Sequence, residues 1–123
     1  MQIENSQIEK PESLNKLLLI SFIAAVKVLA LVHARDGDGR HVNTVFNKNE
    51  IIVLKLLDKK LQGKTEKQKN KFKSETLGWA SWVIARIGGW KGYKSASKPG
   101  PITIYRGLEI FYNYVEGWKL TNG

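Results

Sequence analysis

The sequence predicts a mainly α-helical chain of about four helices. Apolar residues recur at three- and four-residue steps in four stretches, and proline and glycine fall between them. No internal repeat is evident, and no β-hairpin is forced.

The first helix is predicted from about Pro11 to Ala34. Pro11 suits a first turn, where its missing N–H would have had no partner. Asp36-Gly37-Asp38-Gly39 stops the helix. Its apolar residues cover most of the circumference, so it should be buried on several sides, as in the middle of a larger body. The alternation in His41 to Phe46, HVNTVF, allows one short strand. The second helix is predicted from about Lys48 to Leu61. Asn47 with Glu50 three residues on is a capping-box pattern. Ile51, Leu54 and Leu57, with Ile52 and Leu56, make its apolar face.

Lys59 to Lys73, KKLQGKTEKQKNKFK, holds seven lysines and one glutamate and has no apolar period. It reads as a mobile linker. The third helix is predicted from about Thr76 to Ile87, with Leu77, Ala80, Ile84 and Ile87 on one face. Gly88-Gly89 supplies the left-handed residue that ends many helices. Gly92 to Pro101 is a turn-rich loop. Pro101 opens a fourth helix to about Trp118, striped by Ile104, Leu108, Phe111, Tyr112, Val115 and Trp118. That stripe is core or a protein–protein contact, and Trp118 is the residue most exposed to solvent if packing partners are missing.

Composition narrows the function classes. At 123 residues the chain is one domain or a piece of one. With no cysteine, disulfides and thiolate metal sites are excluded. His33 and His41 flank the glycine-rich turn and read as a helix end and a solvated turn rather than a metal pair. The net charge is +9, and residues 1–40 contribute none of it, with five basic and five acidic residues. The excess beyond residue 40 points to a polyanion, with nucleic acid ahead of a membrane surface. Leu17 to Val26 is ten uncharged residues before Lys27 interrupts. A spanning helix wants about 20 apolar residues, so a buried helix fits better and no membrane partner is expected. The polar, acidic start MQIENSQIEKPE is no signal peptide, so a cytoplasmic protein is expected.

Three segments then carry a resemblance. IENSQIEKPESLNKLLLISFIAAVKVLAL, GWASWVIARIGGWKGY and GPITIYRGLEIFYNYVEGW occur in that order. They resemble the C-terminal region of bacterial cut-and-paste insertion-sequence transposases with a DDE catalytic core. The first is similar to the family's long helix after its last catalytic glutamate. The second, with Gly88-Gly89-Trp90, is similar to its Leu-Gly-Gly-aromatic element. The third, with Arg106-Gly107, is similar to its Trp/Tyr-x-Gly helix. The resemblance implies a C-terminal fragment of a larger RNase H-like enzyme rather than a complete domain. On this reading 1–40 is the helix that would pack on the catalytic core, 41–74 a helix plus lysine-rich linker, and 75–123 a C-terminal helical pair.

The family's enzymes transfer DNA strands with two aspartates and a glutamate around Mg²⁺ or Mn²⁺. Their glutamate sits in a Tyr-x2-Arg-x3-Glu-x6-Lys signature. None of Glu4, Glu9 and Glu12 has Arg four positions before it or Lys seven after, and the signature would fall ahead of Met1. The expectation is therefore a chain with no catalytic residue, no metal ligand and no cofactor of its own. The resemblance implies DNA as partner, allows a homo-oligomer through the C-terminal helices, and implies no small-molecule substrate. A stand-alone basic helical nucleic-acid-binding module is the rival reading.

The residues expected to meet DNA are basic. Lys59, Lys60, Lys64, Lys67, Lys69, Lys71 and Lys73 can neutralise phosphates, though the same run reads equally well as a solvated linker. Lys91, Lys94 and Lys98 interleave with Trp90 and Tyr93 on a loop able to stack on a base or clamp a backbone. Trp90 itself reads better as packed over Gly88-Gly89. Arg86 and Arg106 read either as phosphate clamps or as intramolecular partners of Glu75 and Glu109.

Overall fold

The computed structural model describes residues 11–37, 39–61, 70–92 and 98–122, with side chains from Phe22 on. Four helices carry the described fold: α1 Pro11–Ala34, α2 Lys48–Leu61, α3 Leu77–Ile87 and α4 Pro101–Asn122. No strand occurs among these residues, so the mainly helical fold is as predicted. α4 runs one turn past the expected end at Trp118. Trp118 itself packs against the core and is half-buried, not exposed as its place near the end implies.

The expected strand at 41–46 is a single 3-10 turn, Val42–Thr44. Local side-chain bonds take the backbone groups that a ladder would use. His41 Nδ1 accepts from Asn43 N at 3.0 Å, and Thr44 Oγ1 donates to His41 O at 2.9 Å. Val42 and Phe46 are both buried, four residues apart, which is helical rather than strand spacing. Within this stretch only His41 bridges in a strand-like manner, antiparallel to Thr76.

Asn47 and Glu50 do form the capping box of α2. Asn47 N donates to Glu50 Oε1, and Glu50 N donates to Asn47 Oδ1, each at 2.9 Å. The buried face of α2 is rotated from the predicted one. Val53 and Leu54 are buried with Glu50, whereas Ile52 and Leu56 are exposed. The Glu50 carboxylate on this buried side accepts from Asn47 N, and Tyr112 on α4 faces it.

α3, not α1, is the helix buried all round. Every residue from Leu77 to Ala85 is buried. Small side chains permit this: Gly78, Ala80, Ser81 and Ala85 let three helices close on an eleven-residue segment. The buried Ser81 hydroxyl donates to Leu31 O at 2.7 Å, satisfying one of the last carbonyls of α1. The apolar circumference of α1 predicts cover on several sides. Instead α1 buries Leu31 and Ala34 and leaves Phe22, Ile23, Val26 and Leu29 exposed.

The α3–α4 crossing is tighter than side chains allow. A Cβ at Gly88 would stand 2.1 Å from Thr103 O, and one at Gly107 would stand 2.0 Å from Ile84 O. Glycine is required at both positions by close backbone approach. The left-handed role expected of the Gly88-Gly89 pair falls on Gly89, at φ 107°. Trp90 follows with its N–H on Ala85 O at 3.0 Å and its ring packed against the core.

Candidate nucleic-acid interface

The lysine-rich stretch is not a linker along its whole length. Lys59, Lys60 and Leu61 are the last turn of α2. Lys64, Lys67 and Lys69 lie outside the described residues, as does Lys94. Asn70 is tied to the fold by its side chain. Asn70 Nδ2 donates to Asp58 Oδ1 at 3.3 Å and to Trp79 O at 3.2 Å, and Asn70 Oδ1 accepts from Phe72 N at 3.0 Å. Phe72 then packs on the core, close to Gly37. Periodicity misses this anchor because one asparagine and one phenylalanine make no period.

Segment 70–76 therefore runs back along α2. It starts beside Asp58 and ends where Lys55 Nζ meets Glu75 Oε1 at 3.1 Å. Lys71 and Lys73 are exposed between those two points. The turn is closed by Thr76 Oγ1, which donates to Lys73 O at 2.7 Å and accepts from Trp79 N at 3.3 Å as the N-cap of α3. On α2, Lys48, Lys55 and Lys59 are exposed, with Lys55 seven and Lys59 eleven residues beyond Lys48, which places them on one stripe. Composition alone passes over Lys48 and Lys55. Their helical spacing is the signal that finds them.

Of the second expected cluster, Lys98 is engaged within the chain. Lys98 Nζ pairs with Asp36 Oδ1 at 2.5 Å, and Arg35 donates to Pro99 O at 2.9 Å. Lys98 hydrogen-bonds the Asp36 carboxylate and holds it below the ordinary carboxylate range. Lys91 is exposed, next to the buried Gly92. Gly92 has φ 78°, and a Cβ there would stand 2.7 Å from Arg86 Cδ.

Arg86 is an intramolecular pin. Its guanidinium lies 5.0 Å from the Trp82 ring and donates to Leu61 O at 3.1 Å, the last carbonyl of α2. Glu75, the acid expected to pair with Arg86, pairs with Lys55. Arg106 is exposed on α4.

One charged cluster lies inside the fold. Lys27 Nζ donates to the Tyr112 hydroxyl and sits 4.8 Å from the Tyr112 ring and 6.0 Å from the Phe46 ring. Burial, together with the Glu50 charge, pushes the Tyr112 hydroxyl well above the usual phenol range. Tyr112 on α4 thus meets Lys27 of α1 and lies beside Glu50 of α2, which explains how α1 carries a lysine between apolar turns.

Among the described residues no three histidine or acidic side chains come together as metal ligands. Among the same residues no helix is long and apolar enough to cross a membrane. No protein-family model matches the chain, and no solved structure matches it.

Proposed function

We propose that this chain is the C-terminal part of a bacterial cut-and-paste DNA transposase, acting in the cytoplasm and without strand-transfer chemistry of its own. On this reading it binds DNA weakly and without sequence preference. The main support is that two of the three family-like elements meet at their glycines, Gly88 against Gly107. A family would hold such residues fixed because nothing larger fits. DNA as partner is supported by the exposed lysines of α2 and segment 70–76.

A second reading, a stand-alone basic helical module, is favoured by α3, which the helices of this chain alone bury all round.

Two measurements test the proposal. Anisotropy with labelled duplexes of unrelated sequence should give similar dissociation constants, about 10⁻⁴–10⁻⁶ M at physiological salt and tighter at low salt. A duplex preferred a hundredfold, or no binding at low salt, rejects the DNA reading. The genomic sequence upstream of Met1 tests the origin. An in-frame or frameshifted Tyr-Arg-Glu-Lys signature is expected, and unrelated sequence there favours the stand-alone module.

A further inference from the structure

We infer that α2 and segment 70–76 form one duplex-tracking ridge, with Glu75 as its built-in competitor for phosphate. This deepens the DNA-binding reading above and rests on it. The ridge consists of Lys48, Lys55 and Lys59 on α2 and Lys71 and Lys73 beside them. Lys64, Lys67 and Lys69 lie outside the described residues and are not counted in it.

Length, rigidity and charge fit a nucleic-acid backbone. Eleven residues of helix separate Lys48 from Lys59, about 16 Å of rise. One strand of duplex carries a phosphate about every 3.4 Å along its axis, so the stripe spans roughly five phosphates. The lysines stand on a helix capped by Asn47 and Glu50 and on a segment anchored through Asn70, not on a free tether. An anionic membrane surface fits less well. A helix lying in a bilayer interface sinks its apolar face into lipid. Here Val53, Leu54 and Leu57 of α2 are turned into the protein core, which leaves only Ile52 and Leu56 of its apolar side chains exposed beside the lysines.

Beside this ridge Asp58 holds Asn70 and Glu75 meets Lys55, and the backbone of Glu75 is unusual. It is the one non-glycine residue with positive φ among those described, at 67°. The conformation is held on both sides. Glu75 O accepts from Val42 N at 2.8 Å, and Thr76 bridges His41. A side chain in the left-handed region is disfavoured and persists only where its surroundings impose it. The result is a carboxylate oxygen 3.1 Å from Lys55 Nζ, where an incoming phosphate oxygen would bind. Glu75 must be displaced, or Lys55 shared, before the ridge is fully engaged.

The test uses the full chain and a labelled duplex of about 20 base pairs, titrated between about 50 and 200 mM salt. Replacing Lys48, Lys55 and Lys59 together with Gln should weaken binding and lower the log–log salt slope by about 0.9 for each phosphate left without its lysine. Glu75→Gln should tighten binding about two- to fivefold, the scale of one exposed ion pair. Glu109→Gln, which removes the same charge from an exposed site on α4, should leave the affinity unchanged. Circular dichroism confirms that each variant keeps its helix content.

Three results overturn the inference. One is a triple α2 variant that binds like the parent while Lys64, Lys67 and Lys69 replaced with Gln abolish binding. That result leaves the DNA-binding reading standing. Another is Glu109→Gln tightening binding as much as Glu75→Gln, which reduces the effect to net charge. The last is a parent chain that binds vesicles of anionic lipid and no duplex at about 50 mM salt, which removes the DNA reading as well.

Discussion

Gly88 and Gly107 hold the backbones of α3 and α4 in direct contact, with the Cβ position of Gly88 only 3.0 Å from Gly107 N. The two residues that anchor the family-like motifs are thus two halves of one packing arrangement. Gly88→Ala or Gly107→Ala must force the helices apart, because the obstructing atoms are backbone carbonyls that cannot rotate away. Each should cost at least the usual overpacking penalty of about 1–3 kcal/mol. Gly117→Ala should act in the opposite direction. Nothing lies within 4 Å of its Cβ position, on an exposed part of α4. Removing a helix-interior glycine there should stabilise by up to about 1 kcal/mol. Urea unfolding of the three variants checks the signs, and equal effects at all three positions reject the close approach.

What is legible in the sequence is whatever leaves a local signature. The bounds of α1 and α2 are readable, because Pro11, the Asn47–Glu50 box and apolar periodicity are local signals. The burial of α3 is not. Its short LGWASWVIARI run is less conspicuous than the long apolar α1, and small residues reveal their purpose only when neighbours close on them. Asn70 and Phe72 look like part of a charged linker. Their role depends on Asp58, Trp79 and Gly37, which are distant in sequence. The lysine ridge is half legible for the same reason. Lys59, Lys71 and Lys73 stand out by composition, whereas Lys48 and Lys55 need the helix and the position of Glu75.

Tyr112 predicts a specific alkaline weakness. Its folded-state pKa is raised above the ordinary value of 10, first by burial and then by Glu50. The folded state therefore favours the neutral phenol. Tyr112 contributes fully below pH 10 and loses its contribution as pH rises above that value. Urea midpoints should fall more steeply for the parent than for Tyr112→Phe between about pH 10 and 11.5, although the variant starts lower because Lys27 and Glu50 lose a partner. Parallel slopes would place the hydroxyl in solvent.

Phe22 and Leu29 predict association. They are 65% and 59% exposed on α1, with Val26 and Ile23 beside them. A contiguous apolar surface of this kind on an isolated chain is normally an interaction or aggregation site. Light scattering should show the mass rising with protein concentration. Phe22→Glu with Leu29→Glu should suppress that rise while leaving the thermal midpoint within a few degrees, since neither side chain belongs to the core. A parent chain that stays monomeric at high concentration contradicts this.

Arg86 separates a structural pin from a phosphate clamp by the response to lysine. Its guanidinium stacks over Trp82 and donates to Leu61 O, geometry that depends on a flat, forked cation. Lysine keeps the charge and loses the stack. A clamp would lose DNA affinity in Arg86→Gln, and in part in Arg86→Lys, without any change in stability. A pin behaves differently: both variants should lose about 1–3 kcal/mol, combining a charge-assisted hydrogen bond with a partly buried cation–π interaction. Binding to duplex should then fall no more for Arg86→Lys than the loss of folded protein accounts for. Urea unfolding and anisotropy on the same samples decide the matter. Full stability in both variants together with a loss of duplex binding would make Arg86 a phosphate-binding residue after all.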